Sequence, residues 1–71
     1  MKLNYYAETD SLYIDLSSKV SVRTNEISPG VNLDYDESGA LVGIDIDHAS
    51  KKMDFTDLVL NHIPGSVHVV N

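Results

Sequence analysis

Seventy-one residues, 42% of them apolar, make one small domain, residues 1–71, and a chain of this size buries only about 60% of its unfolded surface. The absence of cysteine excludes disulfides and thiolate metal sites. Eleven acidic residues against five basic ones leave a net charge of −6, which argues against nucleic acid or anionic lipid and favours a basic protein surface or a cation.

Lys2 to Tyr6 alternates weakly, with Leu3 and Tyr5 on one side, and suits a strand near a sheet edge. Ala7 to Asp10 is a polar turn. Ser11 to Leu16 alternates cleanly: Leu12, Ile14 and Leu16 face one way, Tyr13 and Asp15 the other. Two such strands joined by a short turn predict an antiparallel hairpin. Val20 to Ile27 is a weaker strand, with Val20 and Val22 offered to the core and Arg23 to Glu26 polar in a row. It is expected to be twisted or partly at an edge. Ser28-Pro29-Gly30 is a turn in which proline presets φ and glycine accepts positive φ.

Val31, Leu33 and Tyr35 then alternate with Asn32, Asp34 and Asp36. Glu37-Ser38-Gly39 turns the chain, with Gly39 suited to the left-handed region. Leu41 to His48 returns with Val42, Ile44 and Ile46 on one face and Leu41, Gly43, Asp45 and Asp47 on the other. Glycine inside a strand marks a bulge or a close approach by another backbone. After His48 the period changes. Ala49 to Met53 reads as a turn or one helical turn capped by Ser50. Phe55, Leu58, Val59, His62 and Ile63 fall at helical spacing over residues 54–63, ended by Pro64-Gly65. Residues 66–71 form a tail or an extra strand.

The predicted fold is α+β and mainly β: a five-stranded antiparallel meander over residues 1–48 with one short C-terminal helix. Its apolar face exceeds what one short helix covers, which points to curling or to a homodimer. No run approaches the roughly 18 apolar residues of a membrane span, and MKLNYYAETD has no apolar leader core. A cytoplasmic protein with no membrane contact is expected.

Two segments together resemble a prokaryotic family known only as domain of unknown function 2283. The first is Tyr6 to Leu16, YAETDSLYIDL. The second is Glu26 to Ser50, EISPGVNLDYDESGALVGIDIDHAS, with its Ser-Pro-Gly-Val turn, its Asp-x-Asp-x-x-Gly turn, its Leu-Val-Gly-Ile strand and its closing Ala-Ser. Asp47-His48 departs from the apolar-then-acidic pair usual in the family. The resemblance implies a small single domain without established activity. Some members look like the acidic partner in two-gene cassettes with a small basic, toxin-like protein, which implies an antitoxin-like role. It supplies no catalytic residues.

Asp34, Asp36, Ser38, Gly39 and Asp45 superficially match a calcium-binding loop, but that loop is flanked by helices and these flanks alternate with period two. A plain hairpin is the expected reading, with Asp34, Asp36 and Asp45 as the alternative cation ligands. His48, His62 and His68 are scattered over three segments without ligand spacing. No thiol nucleophile, nucleophile elbow or phosphate loop is present, so neither an enzyme nor a cofactor is expected. What remains is an acidic strip of Tyr13, Asp15, Asp34, Asp36, Asp45 and Asp47. Like charges across strands repel, so the strip calls for a positive partner, and tyrosine is enriched at interfaces.

Overall fold

The computed structural model describes residues 1–54, 61, 64, 65 and 68–70. Among the described residues six strands form one sheet: β1 (Lys2–Tyr6), β2 (Ser11–Asp15), β3 (Arg23–Ser28), β4 (Val31–Tyr35), β5 (Leu41–Ile46) and β6 (His68–Val70). A single helical turn, α1 (Ala49–Lys52), follows β5. β1 to β5 pair antiparallel, and β6 adds parallel to β1. The mainly β fold with five antiparallel strands and one short helix is the one the alternation predicts. The helix expected over 54–63 lies outside the described residues apart from 54 and 61.

The strand order is β3-β4-β5-β2-β1-β6. Sequential neighbours pair at β1–β2, β3–β4 and β4–β5, but β2 pairs with β5 rather than β3. The reason is composition. β5 (LVGIDI) is the most apolar strand and takes the centre. β3 (RTNEIS) would bring Arg23, Asn25 and Glu26 into the centre and is left at the edge, with all six residues exposed. Residues 16–22 are long enough to let the chain pass to that edge. Val20 and Val22 therefore do not face the core as the alternation suggested; they are 77% and 62% exposed.

Register explains the two faces. Leu3, Ile14, Ile44 and Leu33 align across β1, β2, β5 and β4, and Tyr5, Leu12, Ile46 and Val31 form the next apolar row. Alternating with these rows, on the opposite face, run Lys2, Asp15, Gly43, Asp34 and Thr24, then Asn4, Tyr13, Asp45, Asn32 and Glu26. A register shift near the start of β5 sets Leu41, not Val42, across from Tyr35. Val42 is buried at 3% exposure, and its carbonyl accepts the Leu16 N–H at 2.9 Å. Gly30 and Gly39 both adopt positive φ, as their turns require.

Candidate functional site: the outward acidic face

Gly43 is the residue that shapes the polar face. A β-carbon there would collide with the Tyr13 hydroxyl and ring carbon Cζ. The Tyr13 side chain thus lies across the bare glycine of β5 and reaches β4, where its hydroxyl donates to Asp34 Oδ2 at 2.9 Å. Thr24 on β3 donates to the other oxygen, Asp34 Oδ1, at 2.6 Å. One carboxylate therefore links three strands that are not all neighbours. The strand glycine adjoins a register shift, as expected of a bulge, and the close approach it admits is that of a side chain, Tyr13, rather than of another backbone.

Electrostatics follow from this placement. Desolvation, the bond to Asp34 and the charges of Asp34, Asp15 and Asp45 push the Tyr13 hydroxyl up to about 12. Asp45 sits directly across from Tyr13 and Asn32. Desolvation, then the charges of Asp47 and Asp34, raise its carboxyl above the ordinary value. Asp15 lies in the row of Gly43 and Asp34, with Lys2 across from it. Asp47 follows β5; its N–H donates to the Gly30 carbonyl at 2.8 Å, and its own carbonyl accepts from Lys52 Nζ. Arg23, another of the available cations, stands over the Tyr35 ring, 4.8 Å from its centroid.

Asp36 does not continue the strip. It lies beyond β4 in the hairpin turn, where its Oδ1 accepts from Ser38 N–H at 2.9 Å, Ser38 Oγ at 2.7 Å and Ala40 N–H at 3.0 Å. These bonds, the Ser38 hydroxyl first, hold its carboxyl below the usual value. Asp34, Asp36 and Asp45 thus occupy a strand, a turn and the next strand. Among the described residues no three carboxylate, imidazole or thiol groups converge to hold a metal ion. The side chains of His62 and His68 lie outside the described residues.

Sequence reasoning missed one residue, Asp10. It closes the β1–β2 turn in the left-handed region with φ 53°, a conformation that aspartate tolerates better than most residues. There its carboxylate accepts from Tyr5 Oη at 2.8 Å, Ser50 Oγ at 2.7 Å and the Ser50 N–H at 3.2 Å, while its carbonyl takes the Ala49 N–H at 2.8 Å. Ser50 does not cap α1 as expected; the cap position is His48, which makes no side-chain cap bond. Ala49, whose N–H binds the Asp10 carbonyl, is fully buried. The visible signal was the pairing of an aspartate before β2 with a closing Ala-Ser.

The family described as protein of unknown function (DUF2283) matches residues 2–50. The chain belongs to this family. Its match runs from the start of β1 to the serine that binds Asp10, so the DUF2283 segment coincides with the five antiparallel strands and the latch that ties their ends. No curated protein and no solved structure matches the chain. Among the described residues no helix is long and apolar enough to cross a membrane.

Proposed function

We propose that this DUF2283 chain is a non-enzymatic, cytoplasmic protein-interaction module whose outward acidic face binds a basic protein, in its sharpest form as the antitoxin-like member of a pair. One observation carries the reading. Asp34, Asp45 and Asp47 stand close enough that Asp47 and Asp34 both raise the Asp45 carboxyl, and a partner's cations relieve that repulsion. Tyr13 in the middle of the group adds an aromatic anchor of the kind interfaces favour.

The test uses the product of the adjacent gene, co-expressed with this chain and captured at low and high salt. A complex at low salt that weakens as salt rises is expected. Asp45→Asn with Asp47→Asn should raise the dissociation constant about tenfold, on the scale of one or two lost charge contacts. No complex at low salt overturns the pairing, and a complex indifferent to both substitutions removes the acidic face from it.

A further inference from the structure

Among the described residues the sheet ends at β6 on one side and at β3 on the other. Amide directions along β3 follow from the register. The Tyr35 carbonyl accepts the Val22 N–H at 2.8 Å, so Tyr35 turns its peptide groups toward β3. Successive residues of a strand point their amides to opposite sides. Arg23 and Asn25, across from Tyr35 and Leu33, therefore face β4, while Thr24 and Glu26 aim their N–H and C=O groups out along the free edge. The Thr24 to Asp34 bond of 2.6 Å fits this phase, because wide pairs bring side chains nearest.

We propose that two copies of this chain join through their β3 edges, antiparallel, with the two Asn25 residues facing each other across the twofold axis. Each Thr24 then exchanges both main-chain hydrogen bonds with Glu26 of the other copy. The sheet runs continuously through the dimer and leaves both acidic faces open.

Charge and register select this occupant. Arg23 and Glu26 cancel on β3, so a second copy meets a neutral edge on a chain of net charge −6. In this register Glu26 meets Thr24, and no like charges stand opposite. Centring the axis on Thr24 instead keeps only one outward pair, because the next outward position, Val22, has its N–H committed to Tyr35. Arg23 to Glu26 contains neither lysine nor proline, the usual guards of an edge. The irregularity between Glu26 and Ser28 and the proline after it limit the ladder to these four residues. The dimer is accordingly weak and concentration-dependent. Val22 and Ile27, 62% and 56% exposed, flank the joint and add apolar surface to it.

The chain has no cysteine, so Asn25→Cys introduces a single thiol into each copy. Facing residues of a wide pair lie about 4.5 Å apart at Cα, inside disulfide range. Oxidation should convert most of this variant to a covalent dimer, with little product from Ser38→Cys in the remote turn. Glu26→Pro removes an outward N–H without touching the β4 ladder. It should lower the melting temperature only slightly, through the lost bond from the Gly30 N–H to Glu26 Oε2, and raise the dimer dissociation constant about tenfold, the effect of losing two of four intermolecular hydrogen bonds. Equilibrium sedimentation of the unaltered chain should show mass rising toward twice 7.8 kDa with concentration. A monomer at several hundred micromolar with no Asn25→Cys product above the Ser38→Cys control overturns the proposal. Stronger crosslinking through Thr24→Cys overturns the register, and a dimer that survives Glu26→Pro unchanged overturns the edge.

Discussion

The β1–β2 turn and the outward sheet face both depend on aspartates, yet their surroundings drive the carboxyls in opposite directions. Asp10 collects bonds from Ser50 and Tyr5 and its pKa is held below the ordinary carboxylate value. Asp45, desolvated and flanked by Asp47 and Asp34, has its pKa pushed above that value. Donors make a carboxylate a structural clasp, whereas like charges make it a group that a positive partner would relieve. Asp36 belongs with Asp10, and Asp34 bridges the two behaviours, because it is bonded by Tyr13 and Thr24 while its charge raises Asp45. Among clustered acids, the candidates for partner contact are those the chain has not already satisfied.

The sharpest way to break this distinction is Gly43→Ala. The new methyl group expels the Tyr13 side chain from its seat and severs its bond to Asp34. The cost is about 1–2 kcal/mol in denaturant unfolding, from overpacking and one lost hydrogen bond. Spectrophotometric titration gives a second readout, since the tyrosine that ionises at about 12 should return toward the usual value of about 10. In the unaltered chain Tyr13 has a raised folded-state pKa. Its contribution is therefore complete below about pH 10 and disappears as pH rises through about 12. A Gly43→Ala chain with unchanged stability and unchanged titration would show that the slot does not hold Tyr13.

Asp10→Ala comes next. It removes the acceptor for Tyr5 and Ser50 and should lower the melting temperature and speed hydrogen exchange at the Ser50 amide. Asp10→Asn should retain part of the effect. Because the folded-state pKa of Asp10 is depressed, its stabilisation is present above the unfolded value of about 3.9 and is lost as pH falls through the lower folded value. The Asp10→Ala and unaltered melting curves should therefore converge in acid. A gap that persists well below that range would assign the loss to something other than the carboxylate.

Asp45→Asn should act least and in the other direction. Its folded pKa is raised, so ionisation disfavours the fold above the unfolded value, and neutralising the group stabilises the chain at pH 7. The gain is about 0.5 kcal/mol or less after solvent screening. It should shrink with added salt and vanish below about pH 4. A destabilised Asp45→Asn at neutral pH and low salt would contradict the account of repulsion on this face.

Most of the strands were legible because each carries its own alternation, and the turns before β4 and β5 were legible because Gly30 and Gly39 must take positive φ. β3 was only partly so. Its span shortened at the N-terminal end, and Val20 and Val22 proved exposed, since a run with one apolar residue in six has no strong claim on either face. The acidic strip was legible as a composition but not as a set of roles. Asp36 reads like a continuation of Val31 to Tyr35 until the turn captures its carboxylate.

The sequence by itself determined the strand segments, their apolar faces, the turn glycines and the membership suggested by the two DUF2283 segments. These depend on residues near one another in the chain, where period and φ preference act. Only the tertiary structure decided that β5 separates β4 from β2, that Tyr13 crosses Gly43 to reach Asp34, and that Asp10 grips Ser50 forty positions away. Each of those depends on which strand becomes a neighbour, a choice made by burying the most apolar strand at the centre and leaving the most polar one at the edge.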